Sequence, residues 1–260
     1  MKKFNQFHLV EPRPWPLTTS LCFFNIIISI IIIFSKINRI YFLISTILLI
    51  YSAYLWRQDI HRERCLEGSH QDIVVKGFKF GIVIFILSEC FFFFAIFWSY
   101  LHLAQTPAIE IGGIWPPKGI ITFDPKGIPF FNTIILVSSG VSVTWSHHSF
   151  SKKNYKERVV IILITIFLGI TFTALQAIEY YVRRFTIACS SYSSIYYLGT
   201  GFHGTHVIIG RILLIICFLR IIYFHTRVNH TAMIECSIWY WHFVDVVWFF
   251  LYLIFYWWGV

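Results

Sequence analysis

Charged side chains are scarce in this chain of 260 residues. Asp, Glu, Lys and Arg together make up only 13% of it, while 57% of the residues are hydrophobic and 20% are aromatic. An ordinary soluble domain has about a quarter of its residues charged. The scarcity excludes such a domain and, with a mean hydropathy of +0.70, predicts a single polytopic membrane domain over residues 1–260.

Several signatures of catalysis and binding are also missing. The sequence has no CxxC pair, no glycine-rich phosphate loop and no arrangement of Cys, His and Asp typical of a protease. Most of the six cysteines lie in apolar runs, where cysteine behaves as a small hydrophobic residue. The many clustered histidines that bind haem or copper in a membrane are absent too. Any redox centre is therefore expected on another chain.

The formal net charge of +9 does not indicate a nucleic-acid partner, because the basic residues stand in short gaps between apolar runs. Fourteen fall on one predicted side of the membrane: Lys2, Lys3, Arg13, Arg57, Arg62, Arg64, Lys76, Lys79, Lys152, Lys153, Lys156, Arg158, Arg220 and Arg227. Six fall on the other: Lys36, Arg39, Lys118, Lys126, Arg183 and Arg184. The N-terminus is therefore expected on the positive-inside face, and the C-terminus on the opposite face.

Apolar runs long enough to cross a bilayer, which takes about 20 residues, predict seven helices. Their approximate spans are 16–35, 40–57, 73–104, 129–150, 157–182, 193–223 and 233–257. The gap between the first two is so short that they should form a hairpin. The gap over residues 105–128 is rich in Pro and Gly and predicts an ordered loop. No internal repeat is visible, which disfavours a transporter built from inverted repeats.

One carboxylate, Glu89, lies near the centre of the third apolar run. An ionisable side chain at membrane depth costs several kcal/mol unless it is paired, hydrated or protonated, so it marks a candidate functional site. Its neighbours on the same helical face are all Ile or Phe, and its partner must come from another helix, a water, a lipid or a proton. We expect a neutral or hydrogen-bonded group. The alternative is a proton carrier that works with Asp245 in a proton-coupled transporter.

Two histidines, His203 and His206, are three residues apart on one face of the sixth run. This spacing could present both imidazoles to a metal ion in an intramembrane metalloenzyme. Packing is the favoured interpretation, because Gly201, Gly204 and Gly210 would let a neighbouring helix come close enough for hydrogen bonds across the contact.

Two further groups of polar residues allow two interpretations each: one in the seventh run, and one around the gap between the second and third runs. His242 and Asp245 share a helical face, which favours a clamp between helices over a proton relay. Residues 56–79 gather charged and aromatic side chains beside the membrane surface. Such a cluster either holds anionic lipid head groups or only sets the topology.

Several stretches of the chain resemble subunit III of the haem-copper oxidases, and that of mitochondrial cytochrome c oxidase in particular. They are HLVEPRPWP (8–16), IWPPKGI (114–120), TWSHHS (144–149), TGFHGTHVIIG (200–210), WYWHFVDVVW (239–248) and YWWG (256–259). These stretches follow one another over essentially the whole chain, which makes the resemblance specific.

The resemblance implies an all-α membrane protein of seven helices, in which a V-shaped cleft holding phospholipids separates a first pair (about 16–57) from a five-helix bundle (about 73–257). It implies a place beside subunits I and II and accessory subunits, in a complex that transfers electrons from cytochrome c to dioxygen and pumps protons. The chain itself is expected to carry no cofactor but phospholipid, with haem and copper on the partner subunits. The implied location is the mitochondrial inner membrane, with the N-terminus in the matrix. A quinol oxidase subunit of the same fold is the close alternative.

The resemblance also assigns roles to individual residues. Glu89 matches the intramembrane carboxylate that reacts with carbodiimides, and His8 matches a histidine near the surface where protons are taken up. Lipid contacts are implied for Trp56, Glu63, His70, Trp98 and Arg220. No catalytic residue and no metal ligand is expected. Where the family has Trp-Trp-Arg-Asp, this chain has WRQD at residues 56–59, so head-group contacts there should be rearranged.

Overall fold

The computed structural model describes residues 8–35, 39–151, 155–223 and 232–259. Within these residues the chain is all-helical, without a β-strand, as the sequence predicts. The α-helices are α1 (Trp15–Phe34), α2 (Ile40–Cys65), α3 (Asp72–Gln105), α4 (Ile128–Ser151), α5 (Tyr155–Val182), α6 (Ser191–Ile222) and α7 (Ala232–Leu251). A π-helical turn, Tyr252–Trp257, continues α7. All seven are long and apolar enough to cross a membrane, which confirms the predicted fold class.

The second helix is longer than predicted. It ends at Cys65 rather than near residue 57, where the apolar run stops. The residues that follow are polar but good helix formers, so the helix continues after the hydrophobic signal has ended. Arg62 and Arg64 lie in its last turn, where positive charge interacts favourably with the helix dipole. Gly68, with φ of 65°, then turns the chain towards α3.

The first of two compact units comprises residues 1–78. Here α1 and α2 pack against each other as an antiparallel hairpin, which confirms the predicted pairing. The hydroxyls of Thr18 and Ser52 are 3.1 Å apart, and the Trp15 indole N–H donates to the Asp59 carboxylate. Ser29 and Ser45 are buried, and small residues of this kind allow close helix packing.

The second unit comprises residues 79–260. Within it α4 packs on α5, α5 on α6, α6 on α7 and α7 on α4. The most buried helix is α7, and its Trp241 and Trp248 are almost fully enclosed. Their indole N–H groups donate to Ser139 and Thr133 of α4, each at 3.0 Å. A buried indole needs such a partner, so these two bonds fix how α7 sits against α4.

Glycines on α5 and α6 make room for Trp241. A Cβ atom added to Gly169 would lie 2.8 Å from the ring, and one added to Gly210 would lie 3.0 Å from it. Gly201 meets only the Tyr180 hydroxyl at 3.9 Å, and Gly204 has nothing within 4 Å. The predicted close helix approach is therefore found at Gly210, and it is wrong at Gly204.

The connection over residues 106–127 contains one short 3₁₀ turn, Ile109–Ile111, and otherwise has no helix or strand. Gly112 and Gly119 adopt φ values of 94° and 93°, which favour glycine. The ring of Trp115 lies 5.3 Å from that of Tyr100 on α3, with its edge directed at the other ring. The predicted loop is thus held against the helices by an aromatic contact.

Candidate functional site

Glu89 lies on α3, and its carboxyl group meets the imidazole of His206 on α6. Glu89 Oε2 and His206 Nε2 are 3.0 Å apart, and the two side chains are 23% and 11% exposed. The other ring nitrogen, Nδ1, is 2.7 Å from the carbonyl oxygen of Phe202. Because a carbonyl oxygen only accepts hydrogen bonds, Nδ1 carries a proton. The contact with Glu89 then requires a second proton between Nε2 and Oε2.

This pair is electrically neutral whichever atom holds the shared proton. It is either an imidazolium facing a carboxylate or a neutral imidazole accepting from a carboxylic acid. A neutral pair lowers the cost of placing an ionisable group at membrane depth. The rings of Phe93 and Tyr240 flank the imidazole, with centroids 5.1 and 6.3 Å away. The sequence leaves the partner of Glu89 open, and the structure supplies it from another helix.

His203 is buried one turn away and has a different partner. Its Nε2 lies 3.2 Å from the carbonyl oxygen of Val244 on α7, to which it donates. The rings of Phe172 and Trp248 lie 5.7 and 5.1 Å from it. His203 and His206 therefore serve two separate helix contacts, and they share no cluster of three metal-ligand side chains within the described residues. The arrangement favours the packing interpretation over a metalloenzyme.

His242 and Asp245 face α4 from α7. His242 Nδ1 is 3.8 Å from Asp245 Oδ2, and Nε2 is 3.1 Å from the Thr144 hydroxyl. A Cβ atom on Gly140 would lie 2.5 Å from Asp245 Oδ2, so α4 and α7 approach each other closely here. His242 therefore links α7 to α4 through Thr144, while both Asp245 oxygens are buried without a hydrogen-bond partner among the described residues.

A second carboxylate, Glu63, lies at the centre of a polar cluster in residues 1–78. Its Oε1 accepts from Arg13 Nη1 at 2.7 Å, and its Oε2 is 3.1 Å from His8 Nε2 and 3.8 Å from His70 Nε2. The His70 side chain is only 5% exposed. Burial and the nearby His8 lower the pKa of His70, and this outweighs the opposing effect of the Glu63 carboxylate. His70 is therefore kept neutral.

Of the other residues implied in lipid contacts, Trp56 belongs to the first unit, and Trp98 and Arg220 belong to the second. Trp56 is half-buried on α2. Trp98 is 60% exposed on α3 and stacks on His102 at 5.3 Å, while Arg220 at the end of α6 donates to Met233 Sδ at 3.0 Å. Because α3 and α6 run antiparallel, as the Glu89–His206 contact and the approach of Ile96 to Gly199 require, Trp98 and Arg220 lie towards opposite ends of the second unit.

One ion pair is buried at the end of α5. Glu179 and Arg183 are spaced as a surface pair at a helix end, yet both side chains are fully enclosed and their N–O distance is 2.7 Å. The hydroxyls of Tyr196 and Tyr256 each donate to Glu179 Oε1 at 2.8 Å. The Arg183 guanidinium lies over the rings of Tyr196 and Tyr180 at 4.0 and 4.4 Å. Only the unusual number of tyrosines nearby in the sequence hints at this cluster.

The sequence matches the family model of cytochrome c oxidase subunit III over residues 5–260. It is 45% identical to cytochrome c oxidase subunit 3 of Myxine glutinosa over 258 residues, which cover 99% of both chains. Identity to subunit 3 of Canis lupus familiaris is 46% over 253 residues and 97% of both chains. Identity to subunit 3 of Arabidopsis thaliana is 45% over 257 residues, or 98% of this chain and 97% of that one.

The chain belongs to the cytochrome c oxidase subunit III family. This confirms the family that its motifs predict. Membership makes it a multi-pass subunit of an oxidase that assembles with other subunits. The Glu89–His206 pair and the Glu63 cluster are accordingly features of an oxidase subunit III.

Proposed function

We propose that the chain is a non-redox core subunit of mitochondrial cytochrome c oxidase, which binds structural phospholipids and supports both the stability of the catalytic subunit and its proton uptake during the reduction of dioxygen to water. The observation that carries the proposal is the neutral Glu89–His206 pair. A membrane-depth carboxylate that is satisfied within its own chain is suited to ordering a lipid-facing helix. Haem and copper belong to the partner subunits in this proposal.

Two features support lipid binding. In the second unit, α3 and α7 border an apolar groove of about 720 Å³ that includes Phe93, Phe97 and Trp98 and is suited to acyl chains. In the first unit, a polar pocket of about 420 Å³ is lined by Arg13 and Arg62 together with Glu11, Asp59, Glu63 and Glu67, and is suited to a head group that carries both charges. The proposed lipid contacts are Trp56, Glu63 and His70 in the first unit, and Trp98 and Arg220 in the second.

The proposed site of proton collection is His8, on the matrix side of the mitochondrial inner membrane. The excess of Lys and Arg on that side supports this orientation of the N-terminus. We expect His8→Ala to lower oxidase turnover at alkaline pH, where protons are scarce. Unchanged alkaline activity would contradict this role.

The test of the proposed function is purification through this chain in mild detergent, followed by a reduced-minus-oxidised spectrum and mass spectrometry of the retained lipids. We expect a-type haem at a fixed ratio to the chain, turnover with cytochrome c, and phospholipid that Glu89→Ala loses. Turnover with a quinol instead of cytochrome c would favour the alternative oxidase. An intact preparation without haem would reject both.

A further inference from the structure

We propose that His8, Glu63 and His70 form a binding site for a divalent transition-metal ion, with Zn²⁺ the best fit. The site lies entirely within residues 1–78. This inference goes beyond the proposed function, and it assigns a metal ion to three side chains that the proposed function gives to lipid contact and proton collection.

The geometry of the three side chains would admit a metal ion between them. One ligand atom from each residue lies within 4.8 Å of the other two. His8 Nε2 and His70 Nε2 are 3.1 and 3.8 Å from the same oxygen, Glu63 Oε2. A tetrahedral zinc ion with bonds of about 2.0–2.1 Å places its ligand atoms roughly 3.3 Å apart. Shifts of a few tenths of an ångström in these side chains would enclose an ion.

The kinds of ligand indicate which ion the site would take. Two imidazoles and one carboxylate form a set that zinc uses in proteins, with water in the fourth position. Mg²⁺ and Ca²⁺ prefer sites made of oxygen ligands, so a site with two nitrogens selects against both. None of the three side chains is more than 14% exposed, so they are held in place by their surroundings.

Arg13 is the apparent obstacle, since a cation beside the site repels another. Its Nη1 donates to Glu63 Oε1 at 2.7 Å, and this leaves Oε2 directed at the two imidazoles. Hydrogen bonds to the far side of a ligand are common around metal ions and orient the ligand. Arg13 therefore aligns the carboxylate without occupying the metal position.

A bound ion would join three separate segments of the first unit. His8 precedes α1, Glu63 lies in the last turns of α2, and His70 lies in the link between α2 and α3. The ion would connect the residues that precede α1 to the C-terminal end of α2. We therefore expect Zn²⁺ to protect that N-terminal segment from protease.

The test measures zinc bound to the purified oxidase after dialysis at a series of buffered free Zn²⁺ concentrations. We expect the wild-type complex to bind one more zinc than His70→Ala or Glu63→Gln, with affinity at this site reduced more than tenfold in both variants. The matched controls are His61→Ala, on the same helix, and Glu67→Gln, just beyond its end. Both should bind zinc as the wild type does.

Two further measurements separate metal binding from misfolding or lipid binding. The ratio of this chain to the partner subunits shows whether a variant is still assembled. Protease cleavage near residue 8 is then compared with and without Zn²⁺, and we expect Zn²⁺ to slow cleavage of the wild-type complex but not of the variants. Equal zinc content in wild type and variants would overturn the proposal. Equal zinc content together with lost phospholipid would assign the cluster to a lipid head group instead.

Discussion

At the scale of single residues, the hydrogen bonds of one histidine decide the state of the membrane carboxylate. His206 must donate from Nδ1 to a carbonyl, so the proton between Nε2 and Glu89 cannot be lost without placing a lone pair against a carboxylate. The bond is therefore made either by a carboxylic acid or by an ion pair. Substitution distinguishes the two, because glutamine can replace the acid as a donor but cannot replace a carboxylate.

We expect Glu89→Gln to be nearly neutral for the stability of the chain, because its amide can donate to His206 Nε2. Glu89→Ala leaves that nitrogen without its partner and should cost about 1–3 kcal/mol in the free energy of unfolding. The measurement is unfolding in SDS, followed by circular dichroism. If Glu89→Gln costs as much as Glu89→Ala, the pair is an imidazolium facing a carboxylate, and the carboxylic-acid form is wrong.

A thiol outside the spanning helices should respond to pH. Thr186 donates its backbone N–H to Cys189 Sγ at 3.2 Å, and its hydroxyl lies 3.3 Å from the sulfur. These hydrogen bonds lower the pKa of the Cys189 thiol. Since the thiolate is the reactive form, Thr186→Val should move alkylation of Cys189 by a maleimide to higher pH, while Thr186→Ser should not. Peptide mass spectrometry measures the rates, and superimposable profiles for wild type and Thr186→Val would contradict the assignment.

At the scale of helices, hydrophobic runs predict well that a membrane helix exists, and they predict less well where the helix ends. The end of α2 is missed because helix propensity, not hydropathy, governs residues 57–65. The partners of Glu89 and Glu179 are missed for another reason: His206 and Tyr256 are 117 and 77 residues away along the chain. Such pairs depend on which helices pack together, and periodicity within one helix does not encode that.

Helix packing on α6 predicts different outcomes for two similar glycines. Gly210→Ala places a methyl group 3.0 Å from the enclosed Trp241 ring and should cost about 1–3 kcal/mol in stability. Gly204→Ala meets nothing within 4 Å and should be neutral, or stabilising by up to about 1 kcal/mol through helix propensity. Unfolding in SDS compares the two. Equal effects would show that Trp241 does not pack against Gly210.

The buried Glu179–Arg183 pair ties the end of α5 to α6 and to the turn after α7. Arg183→Met would leave the carboxylate enclosed without its cation and should cost about 3–5 kcal/mol. The double variant Glu179→Gln/Arg183→Met removes both charges, and its amide oxygen can still accept from the two tyrosines. We expect the double variant to be more stable than Arg183→Met alone. If the losses in free energy of unfolding of the two single variants added up to that of the double variant, the two side chains would not be coupled.

At the scale of the whole molecule, charge placement and helix number together predict topology. Seven crossings would place the termini on opposite sides of the membrane, and the excess of Lys and Arg predicts that the N-terminus faces the positive-inside compartment, which is the matrix in the proposed function. An antibody to the N-terminus should therefore bind inverted inner-membrane vesicles but not mitoplasts, and one to the C-terminus should do the reverse. If each antibody bound the other preparation instead, the orientation would be the reverse of the predicted one. Binding of both antibodies to the same preparation would require an even number of crossings, so that one apolar helix would have to lie outside the bilayer.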